Sequence, residues 1–102
     1  MQTGIAVTEF DAGLDDFCSL RLTVFNHQPS GVAANRRDLQ LFSRHLHDTG
    51  VDRVTGDALL GFLHSARTER SNGAGALNRK VASLRSFFKH LRFRQVDGAD
   101  SF

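Results

Sequence analysis

Ala76-Leu77-Asn78-Arg79-Lys80-Val81-Ala82-Ser83-Leu84-Arg85-Ser86-Phe87-Phe88-Lys89-His90-Leu91 is the stretch on which the fold turns. Its apolar residues Leu77, Val81, Leu84, Phe88 and Leu91 recur at i, i+4, i+7, i+11 and i+14. A helix advances about 100° per residue, so this spacing is one helical face. It predicts a helix over residues 76–93. Between Ser71 and Gln95 lie Arg79, Lys80, Arg85, Lys89, Arg92 and Arg94, with no acid among them. On the helical projection Arg79, Ser83, Ser86, Lys89 and His90 point away from the stripe. Asn78, Arg85 and Arg92 flank it on one side and Lys80 on the other. Such a face repels itself mildly, and a polyanion relieves the repulsion. A helix fits a DNA major groove, where arginine reads guanine, asparagine reads adenine, and serine and lysine suit phosphates. The same pattern is equally that of a solvated basic face.

Outward from this stretch, three more helices are expected and no strand. Ser71 to Gly75 reads as a turn or a loose helix start. Before it, Leu59, Phe62, Leu63 and Ala66 fall at i, i+3, i+4 and i+7, with Thr55 as N-cap and Asp57 in the first turn. Residues 32–47 form another helix. Val32, Leu39, Phe42 and Leu46 share its stripe, Ser30 or Gly31 caps it, and Gly50 stops it. Arg37, Gln40 and Arg44 lie opposite that stripe, with Arg36 at its edge, so this helix offers a second basic surface. Pro29 and Ser30 break and restart the chain ahead of it. The first helix is expected over residues 14–25, with Leu14, Phe17, Cys18, Leu22 and Phe25 inward and Asp11 as cap.

These readings divide the chain into a flexible segment 1–13, a four-helix all-α domain 14–94 and a polar linker 95–102. With 102 residues there is room for one domain, and 40 % hydrophobic content is globular. The net charge of +2 conceals an asymmetry. Residues 1–30 sum to −3. Residues 31–95 carry twelve Lys/Arg against five acids, a net +7, and the tail adds −2. A basic unit with acidic flanks suggests a polyanionic partner.

Catalytic patterns are missing. His45 and His47 are two apart and diverge on a helix, and no zinc-ligand pair or glycine-rich phosphate loop occurs. No metal or cofactor is expected. Cys18 is the only cysteine, which excludes an internal disulfide, and it reads as a packing residue. No apolar run approaches the roughly 20 residues of a membrane span, and no secretion signal opens the chain. The expected location is therefore cytoplasmic.

The order of these motifs resembles the N-terminal core-binding domain of tyrosine recombinases and phage integrases. Asn35-Arg36-Arg37-Asp38-Leu39-Gln40-Leu41-Phe42 is similar to the second helix of that domain, with its Asp-Leu and later Phe. The run from Ala76 to Leu91 looks like its fourth, with Asn-Arg, then Ser, Leu-Arg and a Phe-rich end. Val54-Thr55 and residues 59–63 look like its third. Asn35 stands where tyrosine is common, and Gly31 and Ala76 where threonines often touch phosphates. The resemblance implies a SAM-like bundle of two helical hairpins crossing steeply. It implies double-stranded DNA as partner, no membrane, and one half of a clamp on duplex DNA at a recombination core site. The residues it would use are Arg36, Arg37, Gln40, Arg44, Asn78, Arg79, Lys80, Ser83, Arg85, Ser86 and Lys89. It implies a tetrameric parent on DNA and a monomeric isolated domain. The family's chemistry needs a tyrosine nucleophile, and this chain contains no tyrosine. The alternative is a helical protein–protein adaptor, hinted at by Leu41 and Phe102.

Overall fold

Every expected helix is present, although three of them start earlier than their apolar periods suggest. The computed structural model describes residues 4–68 and 73–102. Strand β1 (Ile5–Ala6) leads into α1 (Val7–Thr23), which is followed by α2 (Pro29–Thr49). Strand β2 (Arg53–Val54), α3 (Gly56–Thr68), α4 (Ala74–Phe93) and a 3-10 turn (Ala99–Ser101) complete the chain. The molecule spans 36 × 35 × 19 Å, about two helix layers thick.

Residues 4–13, expected within a flexible segment, are part of the fold. Ile5, Val7 and Phe10 are buried, so the apolar face of α1 begins at Val7, about two turns before Leu14. Asp11 consequently sits inside α1 and does not cap it. The start of α1 is tied instead by backbone: Val7 N–H donates to Asp52 C=O at 3.0 Å. β1 pairs antiparallel with β2, Ile5 opposite Val54 and Ala6 opposite Arg53. Two residues per strand show no period, so this pair was not legible in the sequence.

Pro29 begins α2 rather than breaking the chain ahead of it, because the first turn has no use for the missing N–H. Gly50 ends α2 in the left-handed conformation (φ 74°). Thr55 caps α3 as expected, its Oγ1 accepting from Ala58 N–H at 3.2 Å. The turn expected over Ser71 to Gly75 falls outside the described residues as far as Asn72. From Gly73 the chain is extended and then enters α4.

α4 is rotated relative to its apolar stripe. Lys80, Ser83, Leu84, Phe87, Phe88, His90 and Leu91 are buried, whereas Val81 and Leu77 are only half-buried. Aromatic packing decides the rotation. Phe10 sits at the centre of the core, edge-on to Phe87 at 4.7 Å and to Phe42 at 5.4 Å. Phe17 meets Phe87 at 5.2 Å, and Phe62 from α3 meets Phe42 at 5.0 Å. Each such pair adds roughly 0.5–1.5 kcal/mol beyond its buried area. Cys18 is buried, and burial pushes its thiol pKa up, which fits an inert packing residue.

Residues 95–102 fold back on the domain. Val96 N–H donates to Leu91 C=O at 3.0 Å, Ala99 is buried, and Phe102 stacks on Phe88 at 4.4 Å. Arg92 donates to the Phe102 carbonyl. Gly98 (φ 85°) passes so close to Gly4 that a Cβ there would meet the Gly4 carbonyl oxygen at 1.9 Å. Leu41 packs against the core. Both residues that hinted at an adaptor surface are thus used internally.

Candidate nucleic-acid interface

Asp38 points from α2 toward α4 and is 2 % exposed. A buried carboxylate needs compensation. Arg79 supplies it with two hydrogen bonds, Nε to Oδ2 at 3.3 Å and Nη2 to Oδ1 at 3.2 Å. Ser83 donates its hydroxyl to Oδ2 at 3.1 Å and accepts from Asn35 Nδ2 at 2.9 Å. This network ties α2 to α4 through their facing sides.

The acids of α1 serve the same purpose. Asp16 accepts from Arg94 at 2.8 and 2.9 Å and lies 2.8 Å from His90 Nε2. The Arg94 hydrogen bond holds the Asp16 carboxyl below the usual range, against an opposing push from burial, and His90 adds to the lowering. Asp11 accepts from Ser43 at 2.6 Å and lies 2.8 Å from His47. Asp15 binds Arg36 at 2.7 Å. The negative first helix thus neutralises part of the positive domain within the chain itself.

The residues singled out in the sequence separate accordingly. Lys80 and Ser83 are buried in the bundle and do not project outward. Helix rotation about the Phe87 contacts places them there. His90, expected outward, is buried for the same reason. Arg79 does not stand free beside Arg37, because its guanidinium is engaged by Asp38, although its side chain remains 55 % exposed. Arg36 is held by Asp15. Ser86 is half-buried. Arg37, Gln40 and Arg44 are exposed on α2, and Asn78, Arg85 and Lys89 are exposed on α4. The four cations of this set have no carboxylate partner among the described residues. At successive spacings of three and four on α2, and of seven and four on α4, each trio shares one side of its helix.

Asp38 and Asn35 were missed as functional positions. A signal for Asp38 exists: it is an acid at the edge of the α2 apolar stripe, in a chain whose fourth helix has no acid of its own. Among the described residues no group of His, Cys, Asp or Glu could hold a metal, and no helix is long and apolar enough to cross a membrane.

Four helices, three of them tied by polar links, with cations on the outer sides of two that meet no carboxylate among the described residues, define a small all-α domain with basic helix faces. Residues 26–95, more than two-thirds of the chain, match the family model of the phage integrase N-terminal SAM-like domain, and the chain belongs to that family. No curated protein and no solved structure matches it. The matched region is the N-terminal part of integrases and not their catalytic domain. It starts at Asn26, so it takes in α2, β2, α3 and α4 and leaves out α1. Asp38 and Arg79, two of the motif residues behind the resemblance, are bonded to each other.

Proposed function

We propose that this chain grips duplex DNA as one half of a tyrosine-recombinase clamp at the core recombination site. The observation that carries the reading is the set of exposed, unpaired cations on the two family-matched helices: Arg37 and Arg44 on α2, Arg85 and Lys89 on α4. Gln40 and Asn78 sit among them and offer hydrogen bonds suited to adenine edges. The Asp38–Arg79 and Asn35–Ser83 bonds hold the two helices in fixed relation, so the cations meet the duplex without first being ordered. Arg79 acts here as a positioning residue.

The family's strand cleavage needs a tyrosine nucleophile that this sequence lacks, so the proposed role is to hold DNA for a catalytic domain that supplies it. The parent assembles as a tetramer on DNA in the cytoplasm, and the domain by itself is monomeric.

Fluorescence anisotropy with a labelled duplex at several salt concentrations tests the reading. Four phosphate contacts give a slope of log K against log salt of about −3 to −4. Each of Arg37→Ala, Arg44→Ala, Arg85→Ala and Lys89→Ala should lower that slope by about 1 where the residue meets a phosphate. Binding that is flat in salt, or absent, overturns it.

A further inference from the structure

Between the C-terminal half of α1, residues 24–28 and the C-terminal half of α4 lies a half-open cavity of about 320 Å³. Phe17 and Leu20 contribute apolar lining, and Phe25 and Phe93 stand at its edge, 62 % and 73 % exposed. Phe25 is turned out by the chain reversal at Asn26, which takes the left-handed conformation (φ 53°). Two phenylalanines this exposed in a small domain are a surface that ordinary folding leaves uncovered.

The same cavity is cationic. Arg21, His27 and Lys89 line it. The Arg21 guanidinium lies over the Phe17 ring at 5.0 Å, and its Nε–H is buried without an acceptor. A buried donor left unsatisfied is unfavourable, so a small turn of the Arg21 side chain toward an incoming acceptor is favoured. No carboxylate of the described chain answers these cations, because the nearby Asp16 is occupied by Arg94 and His90.

We infer that this groove docks an acidic peptide segment that carries a bulky apolar side chain. The side chain enters between Phe17, Leu20, Phe25 and Phe93, and the flanking carboxylates meet Arg21 and Lys89. Charge complementarity and the orphaned Arg21 donor select an anionic partner, and the apolar lining favours this occupant over duplex DNA. A duplex presents phosphates on its outside but keeps its bases stacked, and drawing one into an apolar cavity requires unstacking it. Lys89 is shared with the proposed DNA-binding set, whereas Arg37, Arg44 and Arg85 lie outside the groove, so DNA binding through those three can fail or hold separately from the inference.

The test is an amide NMR titration of the full chain with the probe peptide acetyl-Asp-Asp-Phe-Leu-Asp-Asp-amide. One control peptide carries Lys at every Asp, and a second carries Ser for Phe and Leu. The expected result is saturable shifts at Leu20, Ser86, Lys89 and Phe93 with the probe alone. Lys89→Glu and Phe93→Ser, both at exposed positions, should each weaken it about tenfold or more. No saturable binding, equal binding of either control, or shifts confined to α2 overturns the inference. A duplex that shifts the groove amides when the peptide does not also overturns it, and assigns the groove to DNA.

Discussion

Along one flank of α4, Arg79, Ser83, His90 and Arg94 each meet a carboxylate, two on Asp38 of α2 and two on Asp16 of α1. Along the other, Asn78, Arg85 and Lys89 are exposed, and neither cation meets an acid among the described residues. Both flanks are polar and basic in the sequence. They differ in whether a neighbouring helix brings an acid within reach. A cation already held by a buried acid contributes to the fold and has less to offer a ligand. A solvated cation contributes little to folding and keeps its charge for a polyanion.

The comparison breaks most visibly at Asp38. Asp38→Ala leaves Ser83 and Arg79 without their acceptor and should lower stability by about 2–4 kcal/mol in urea unfolding, with an unchanged m-value. A loss under about 0.5 kcal/mol would mean that the seam does not hold α2 to α4. Ser83→Ala removes two hydrogen bonds, one to Asp38 and one from Asn35, and should cost about 1–2 kcal/mol by the same measurement.

Asp16 sharpens the contrast through pH. Its carboxyl is held below its unfolded value, so its contribution is fully present above the ordinary carboxylate pKa of about 3.9. That contribution is lost as pH falls through the lower folded value. Asp16→Asn should therefore flatten the acid limb of the stability profile and leave the neutral region less stable than in the parent. With the side chain 40 % exposed, the effect is smaller than at Asp38.

The smallest effects on folding belong to the outer flank. Arg85→Ala and Lys89→Ala should each change stability by no more than about 0.5 kcal/mol while together reducing the salt slope of DNA binding by about 2. Arg79→Ala should do the reverse, with a clear loss of stability and a smaller change in slope. Equal behaviour of Arg79 and Arg85 would erase the distinction between the flanks.

Helix number and the stops at Gly50 and Phe93 were legible because apolar period and capping residues are local signals. The rotation of α4 was not. Counting Leu77 and Val81 as inward gave a tidy stripe, but Phe87 belongs to the core because Phe10 and Phe17 are there to receive its ring. Phe10 lies ahead of the apolar period that begins at Leu14, so the sequence does not show its influence on α4. The outward placement of Arg37, Gln40 and Arg44 followed directly from the α2 stripe. The removal of Arg79 from the free set depended on a contact 41 residues away in sequence, which no periodicity encodes.

The contact between Gly4 and Gly98 closes the chain into a near-ring. A loop joining residues 4 and 98 would span little distance, so a permuted chain closed there and opened elsewhere should keep the same core.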